Sequence, residues 1–188
     1  MAAARKIRTG DGPAVNRRDG RRIVGPLDPR ALGRAAHEVI QDALSDGVRC
    51  TDHRTLSIFV GRHKFVQLAP TYRQSSRARL TQALSVYMRF FVPPDDWQLV
   101  GCEVALGNQL ADMVWRDAEG RVVLDELKAE RCRGVRPQAA RHQVDALLQA
   151  ALGRYGADFA GVRYILLGAP GTSRWVGADG ENRLLLVP

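Results

Sequence analysis

The chain has 188 residues, a formal net charge of +8, 45% hydrophobic residues and 26% charged residues. These values predict one globular domain that buries its own core without disulfides. No stretch reaches the roughly 18 apolar residues that a membrane span needs, the start lacks the apolar run of a secretory signal, and three cysteines without a CxxC pair exclude a zinc knuckle. We therefore expect a cytoplasmic protein with no membrane partner. Its charge is equally compatible with a polyanion such as nucleic acid as ligand and with a basic solvated surface.

Residues 1–27 show no hydrophobic period and carry the basic pairs Arg17-Arg18 and Arg21-Arg22. This composition predicts a flexible basic N-terminal arm. The arm either touches a phosphate backbone or is a plain disordered tail, and its sequence favours neither. The folded domain is expected to occupy residues 28–188.

A first helix is predicted to begin at Asp28-Pro29, because Asp is a good N-cap and Pro suits the first helical position. It ends at Asp46-Gly47. Two short apolar runs at 55–60 and 64–68 predict a β-hairpin. A second helix begins at Ser75 or Ser76 and must stop before Pro93-Pro94.

Three strands then follow in a meander, at 97–105, 109–116 and 121–129. A third helix is predicted over 136–155, a buried strand over 161–168 and an edge strand over 183–187. A meander, a crossover helix and a further strand imply a central mixed β-sheet flanked by helices, which is an α/β fold.

The residues with the clearest chemistry are Asp112 in the second strand of the meander and Glu126 and Lys128 in the third. Residues two apart in a strand point the same way, so Glu126 and Lys128 share a face, and Asp112 can lie beside them on the paired strand. Two carboxylates and a Lys on a face that should be apolar are costly unless they have a use. An ordinary ion pair on an exposed strand is the simpler alternative.

Phosphodiester cleavage would use these three side chains. Two carboxylates bind a hard divalent cation, Mg²⁺ or Mn²⁺, through oxygen. The cation polarises the phosphate and lowers the pKa of a bound water, and a nearby Lys stabilises the developing charge or orients that water. Taken alone, an isolated E-x-K favours the ordinary ion pair, and a metal-dependent nuclease is predicted only from the context in which these residues stand.

The arrangement resembles the core of the PD-(D/E)XK nuclease superfamily, and within it the RecB-like exonuclease branch. The matching residues are the helical G-x-x-x-H at Gly33–His37, Asp112, the E-x-K of Glu126–Lys128, and Gln143 on the following helix. Leu147 stands where the branch pattern has a Tyr. The resemblance implies a restriction-endonuclease-like fold, Mg²⁺ or Mn²⁺ as cofactor, and DNA as substrate.

Further residues extend the candidate site. Glu103, His37 and the Leu127 carbonyl are candidate metal ligands beside Asp112 and Glu126, and Gln143 is a candidate catalytic residue that holds water or a phosphate oxygen. Glu103 is equally compatible with an exposed strand position, His37 with a half-buried structural role and Gln143 with a helix edge. Asp125 should point to the other face of the sheet and is excluded.

Arginines cluster after Lys128, and those we expect to contact the nucleic-acid backbone are Arg131, Arg133, Arg136 and Arg141. No sequence-reading element such as a zinc finger is present, so a homodimer or a protein partner would supply any specificity. Two alternatives stay open: a nuclease-like fold that binds nucleic acid or assembles without cutting, and a small basic structural protein in which E-x-K occurs by chance.

Overall fold

The structure is a computed structural model that describes most of the predicted domain. The backbone is described over residues 15–18, 21–24, 29–62, 70–129 and 137–186. Side chains are described over residues 31–62, 74–129 and 141–186. Three of the predicted phosphate-binding residues, Arg131, Arg133 and Arg136, lie outside these ranges.

Two short strands lie within the predicted N-terminal arm. They are β1 (Val15–Arg18) and β2 (Arg21–Val24), and they pair with each other in antiparallel register. The sequence prediction contained no strand here. The signal was present, because the two residues between the strands in the sequence are Asp-Gly, a dipeptide typical of tight hairpin connections.

The first helix, α1 (Pro29–Ser45), begins at the predicted proline and ends just before the predicted glycine. Gly47 has a φ of 71°, in the left-handed region that favours glycine. The N–H of Val48 donates to the carbonyl of Ala43 at 2.8 Å, which satisfies one of the carbonyls left free at the helix end.

The second helix, α2 (His53–Arg62), shows that the strand predicted at 55–60 is wrong. The Asp52 carboxylate accepts the N–H of Thr55 at 2.7 Å, which is an N-cap hydrogen bond. Leu56 and Val60, one helical turn apart, are both fully buried. The cap and the four-residue spacing outweigh the β-propensity of the intervening residues. The other predicted hairpin strand, 64–68, lies outside the described residues.

The third helix, α3 (Pro70–Phe90), begins five residues before the predicted Ser75 and has proline at its first position. Ser76 is buried inside the helix and does not cap it. The helix ends before Pro93-Pro94, as predicted. One face of the helix and the residue that follows it are buried: Leu80, Ala83, Leu84, Tyr87 and Phe91.

The main sheet has six strands in the order β3-β4-β5-β6-β7-β8. They are Gln98–Leu106 (β3), Gln109–Arg116 (β4), Val122–Lys128 (β5), Phe159–Leu166 (β6), Arg174–Gly177 (β7) and Asn182–Leu184 (β8). The fourth helix, α4 (Pro137–Tyr155), connects β5 to β6, which pair in parallel, while the other neighbours pair antiparallel. The predicted α/β fold with a mixed sheet flanked by helices is confirmed; β7 was not predicted.

Helices cover both faces of this sheet and enclose two hydrophobic cores. The first core lies between the sheet and helices α1, α2 and α3, and includes Met113, Trp115 and Leu127. The second core lies between the sheet and α4, and includes Ala111 and Val114. Successive residues of β5 therefore contact opposite cores, which separates Asp125 from Glu126.

Within the described part of the chain, no helix combines the length and the apolar character that a bilayer crossing requires.

Candidate active site

The candidate site lies where strands β4 and β5 stop pairing. Their register runs from Arg116 opposite Val122 to Met113 opposite Asp125, which is the last pair. Asp112 and Glu126 are the next residues on each strand, so they flank a gap at the end of the ladder. Backbone groups at such a gap need other hydrogen-bond partners.

The side-chain alternation of β4 breaks at Asp112. Ala111 contacts the second core and Met113 the first, although residues two apart in a regular strand share a face. The Asp112 carboxylate consequently points into the gap, where its Oδ2 accepts the N–H of Leu127 at 2.6 Å. A charged side chain thus replaces a backbone partner and joins the two strands.

Helix α1 holds Asp112 from the first-core face. The Nδ1 atom of His37 lies 3.1 Å from Oδ1 of Asp112. One turn later, Gln41 Nε2 donates to the backbone carbonyl of Asp112 at 3.3 Å. The sequence prediction named His37 but missed Gln41, although the four-residue spacing puts both on one side of the helix.

Glu126 meets helix α4 on the other face of the sheet. Its Oε1 atom accepts a hydrogen bond from Gln143 Nε2 at 2.6 Å and one from Lys128 Nζ. Glu126 is only 2% exposed. Glu126 and Lys128 therefore share a face, as the strand periodicity predicted, and Gln143 reaches them from the following helix.

The charges of Asp112 and Lys128 affect the pKa values of both Glu126 and His37. Burial raises the pKa of Glu126, and the negative charge of Asp112 raises it further against the opposing effects of Lys128 and His37. Burial by itself lowers the pKa of His37, but the hydrogen bond and charge of Asp112 outweigh it, so that pKa is raised overall. The charge of Asp112 thus disfavours the ionised form of Glu126.

The described residues contain no group of three or more His, Cys, Asp or Glu side chains arranged to hold a metal ion. A cation here would rest on two carboxylates, Asp112 and Glu126, with water and backbone oxygen completing its shell. The Leu127 carbonyl can supply that oxygen, because the N–H and C=O of a strand residue point to the same edge and its N–H faces Asp112. Mg²⁺ commonly keeps several waters and few protein ligands, so this donor set fits it.

Glu103 lies on β3 between Cys102 and Val104, which pair with Met113 and Ala111 respectively. Its side chain is exposed, and it is the one non-glycine among the described residues with a positive φ, 49°. Burial raises the pKa of Cys102, and the charges of Glu103, Asp42 and Asp112 add to that effect. Glu103 is therefore near the site without a defined contact in it.

Asp125 faces away from the site, as predicted, and forms a buried network in the first core. Arg163 donates to both of its oxygens at 2.6 and 2.7 Å. Tyr87 Oη and Trp115 Nε1 donate to Oδ2 at 2.8 and 3.0 Å. Arg163 also donates to the Phe91 carbonyl at 2.9 Å, so this carboxylate and its partners satisfy one another.

Of the residues predicted to contact nucleic acid, Arg141 is the one whose side chain is described. It is exposed on α4, two residues before Gln143. Helix α4 therefore carries one side chain into the cluster and presents another to solvent close by.

The chain matches no protein-family model and no curated protein. It shares 28% identity with a chain in the solved structure of an EndoMS-dsDNA2 complex, over 37% of this chain and 26% of that chain, with a TM-score of 0.29. This chain thus spans about a quarter of the length of the chain it matches.

Proposed function

We propose that this protein is a divalent-metal-dependent nuclease that hydrolyses phosphodiester bonds in DNA. One observation supports it above the others: Asp112, Glu126, Lys128 and Gln143 come from three different elements and meet at the end of the β4–β5 ladder. These are the residue types that the resemblance to the PD-(D/E)XK core implies for catalysis.

The burial and the charge of the two carboxylates support a divalent cation as their ligand. Glu126 is buried close to a second carboxylate, and both burial and that neighbour raise its pKa. Lys128 pairs with Glu126 and His37 with Asp112, so the site carries uncompensated negative charge when both carboxylates are ionised and His37 is neutral. A divalent cation between them would neutralise that charge.

Asp112 and Glu126 would hold the cation, with the Leu127 carbonyl as a third oxygen donor. When bound, it would polarise a phosphate oxygen and lower the pKa of a bound water. In this assignment His37 orients Asp112 through Nδ1 instead of binding the metal by that atom.

The chain's own cationic and polar groups would act on the phosphate. The Lys128 side chain is 28% exposed, so its ammonium group can approach a phosphate while it stays close to Glu126. There it would stabilise the negative charge that develops as water attacks. The Gln143 amide would hold the attacking water or a phosphate oxygen by a hydrogen bond, without supplying charge.

One observation favours the rival function, a nuclease-like fold that binds or assembles without cutting. Both oxygens of Asp112 and one oxygen of Glu126 already have protein partners within hydrogen-bond distance. A purely structural cluster would look similar. In that case neither metal binding nor cleavage should depend on these residues.

The test is incubation of the full chain with labelled single- and double-stranded DNA in Mg²⁺, Mn²⁺ or chelator. We expect cleavage with metal and none with chelator. Calorimetric titration of Mn²⁺ separates the two functions further: wild type should bind the ion and Asp112→Asn should not. Equal Mn²⁺ affinity in both proteins would show that Asp112 does not bind the metal ion.

A further inference from the structure

The exposed charge around the candidate site differs between its two sides. On the side of α1 and β3, three exposed acidic residues lie near Asp112: Glu38, Asp42 and Glu103. On the side of α4, the described exposed residues next to Gln143 are Arg141, His142 and Asp145, and Lys128 lies at the end of the adjoining strand, so this side has two cations for one carboxylate. We call these the acidic side and the α4 side.

The acidic side lies close to the catalytic carboxylates. Glu38 adjoins His37, which contacts Asp112, and Asp42 adjoins Gln41, which contacts the Asp112 carbonyl. Glu103 occupies the β3 position between the partners of Ala111 and Met113. The charges of Asp42, Glu103 and Asp112 all raise the pKa of Cys102, so their fields overlap at one place.

The α4 side has a second source of positive potential. Helix α4 begins at Pro137, and Gln143 contacts Glu126 from its second turn. At about 1.5 Å of rise per residue, the helix N-terminus lies about 9 Å from the site along the helix axis. The free N–H groups of that first turn carry partial positive charge and favour phosphate.

We propose that the phosphate backbone of the substrate approaches the site along the α4 side and that the acidic side keeps it off α1 and β3. This inference rests on the proposed nuclease function and adds a direction to it. A backbone that carries one negative charge per phosphate is attracted by Lys128, Arg141 and the α4 N-terminus. Across the site it meets Glu38 and Glu103, which repel it.

Photo-crosslinking tests the direction. A benzophenone side chain is introduced at Asp145, one turn beyond Arg141 on α4, or at Glu38 on α1; both positions are exposed helical sites. Each protein is irradiated with labelled DNA in chelator, which prevents cleavage. We expect a crosslink from position 145 and little from position 38. Equal crosslinks, or a stronger one from position 38, would overturn the inference.

Charge reversal gives an independent readout with a matched control. Arg141→Glu should weaken DNA binding and lower the slope of log affinity against log salt by about 1, because a phosphate contact is lost. Arg183→Glu changes the net charge equally at the far strand β8, where the side chain is 62% exposed, and should leave the slope unchanged. Equal effects of both variants would mean that net charge alone acts.

The two proposals fail in different ways. If the wild-type chain neither binds nor cuts DNA, both the proposed nuclease function and the proposed direction of approach are wrong. A chain that cuts DNA but crosslinks from position 38 keeps the nuclease function and loses the direction alone.

Discussion

Two neighbouring residues of β5 place a carboxylate on each face of the same sheet, in opposite circumstances. Asp125 is fully buried and receives hydrogen bonds from Arg163, Tyr87 and Trp115. Glu126 is nearly as buried but lies near another carboxylate, and its pKa is raised. The two carboxylates are thus similarly buried, and they differ in the balance of charge around them.

The Asp125 network is the side of this comparison that should govern stability. Arg163→Ala leaves a buried carboxylate without its counter-ion, which typically costs about 3–5 kcal/mol of unfolding free energy. Denaturant unfolding measures this loss. Arg183→Ala, at an exposed arginine, is the control and should change stability by no more than about 0.5 kcal/mol. A loss of under about 1 kcal/mol in Arg163→Ala would contradict the structural role.

Lys128 belongs to the other side of the comparison, so its loss should affect cleavage and spare the fold. We expect Lys128→Ala to lower the cleavage rate by about 10²- to 10³-fold, as for removal of one group that stabilises transition-state charge. Its Tm should stay close to that of wild type. Arg116→Ala, at an exposed arginine on β4, is the matched control and should cut normally.

Gln143 should have a smaller effect, because an amide gives one hydrogen bond and no charge. Gln143→Ala is expected to cost about 1–3 kcal/mol of transition-state stabilisation, measured as kcat/KM. Gln149→Ala lies on the same helix at an exposed position and serves as the control. If the two variants cut at the same rate, Gln143 has only its structural contact with Glu126.

The smallest effect expected concerns pH and Glu126. A raised pKa means that the folded state favours the protonated acid, so wild type loses stability as pH rises from about 4.3, the ordinary Glu value, through the raised pKa. Glu126→Gln has no carboxyl group at this position, so this loss of stability with rising pH should be absent. In chelator its Tm should match wild type at low pH and exceed it near neutral pH by up to about 4 °C, or about 1 kcal/mol. A Tm difference that stays constant across pH would contradict a stability cost from the ionised Glu126.

The features that depend on local spacing, namely the faces of the β5 residues and the ends of helices, were predicted from the sequence. The strand period put Asp125 and Glu126 on opposite faces, and caps and prolines gave α1 and the end of α3. The partners of Asp125 could not be predicted, because Arg163 and Tyr87 each lie 38 positions away and meet it only through strand order and helix packing.

The residues of the candidate site also differ in whether a local sequence pattern predicts them. Glu126 and Lys128 follow from a two-residue period, and Gln143 from the family pattern. The break in alternation at Asp112 lies opposite Glu103, which has a positive φ, and no local pattern indicates it. Gln41 contacts a residue 71 positions away and was not predicted; only its four-residue spacing from His37 could have indicated it.

The most direct test is a paired measurement of cleavage and unfolding on Glu126→Gln and Asp125→Asn. Each variant removes one negative charge from β5 with little change in volume. We predict that Glu126→Gln abolishes metal-dependent DNA cleavage and keeps the wild-type fold, whereas Asp125→Asn loses unfolding free energy and still cuts while folded. A Glu126→Gln protein that cuts DNA at the wild-type rate would contradict the account.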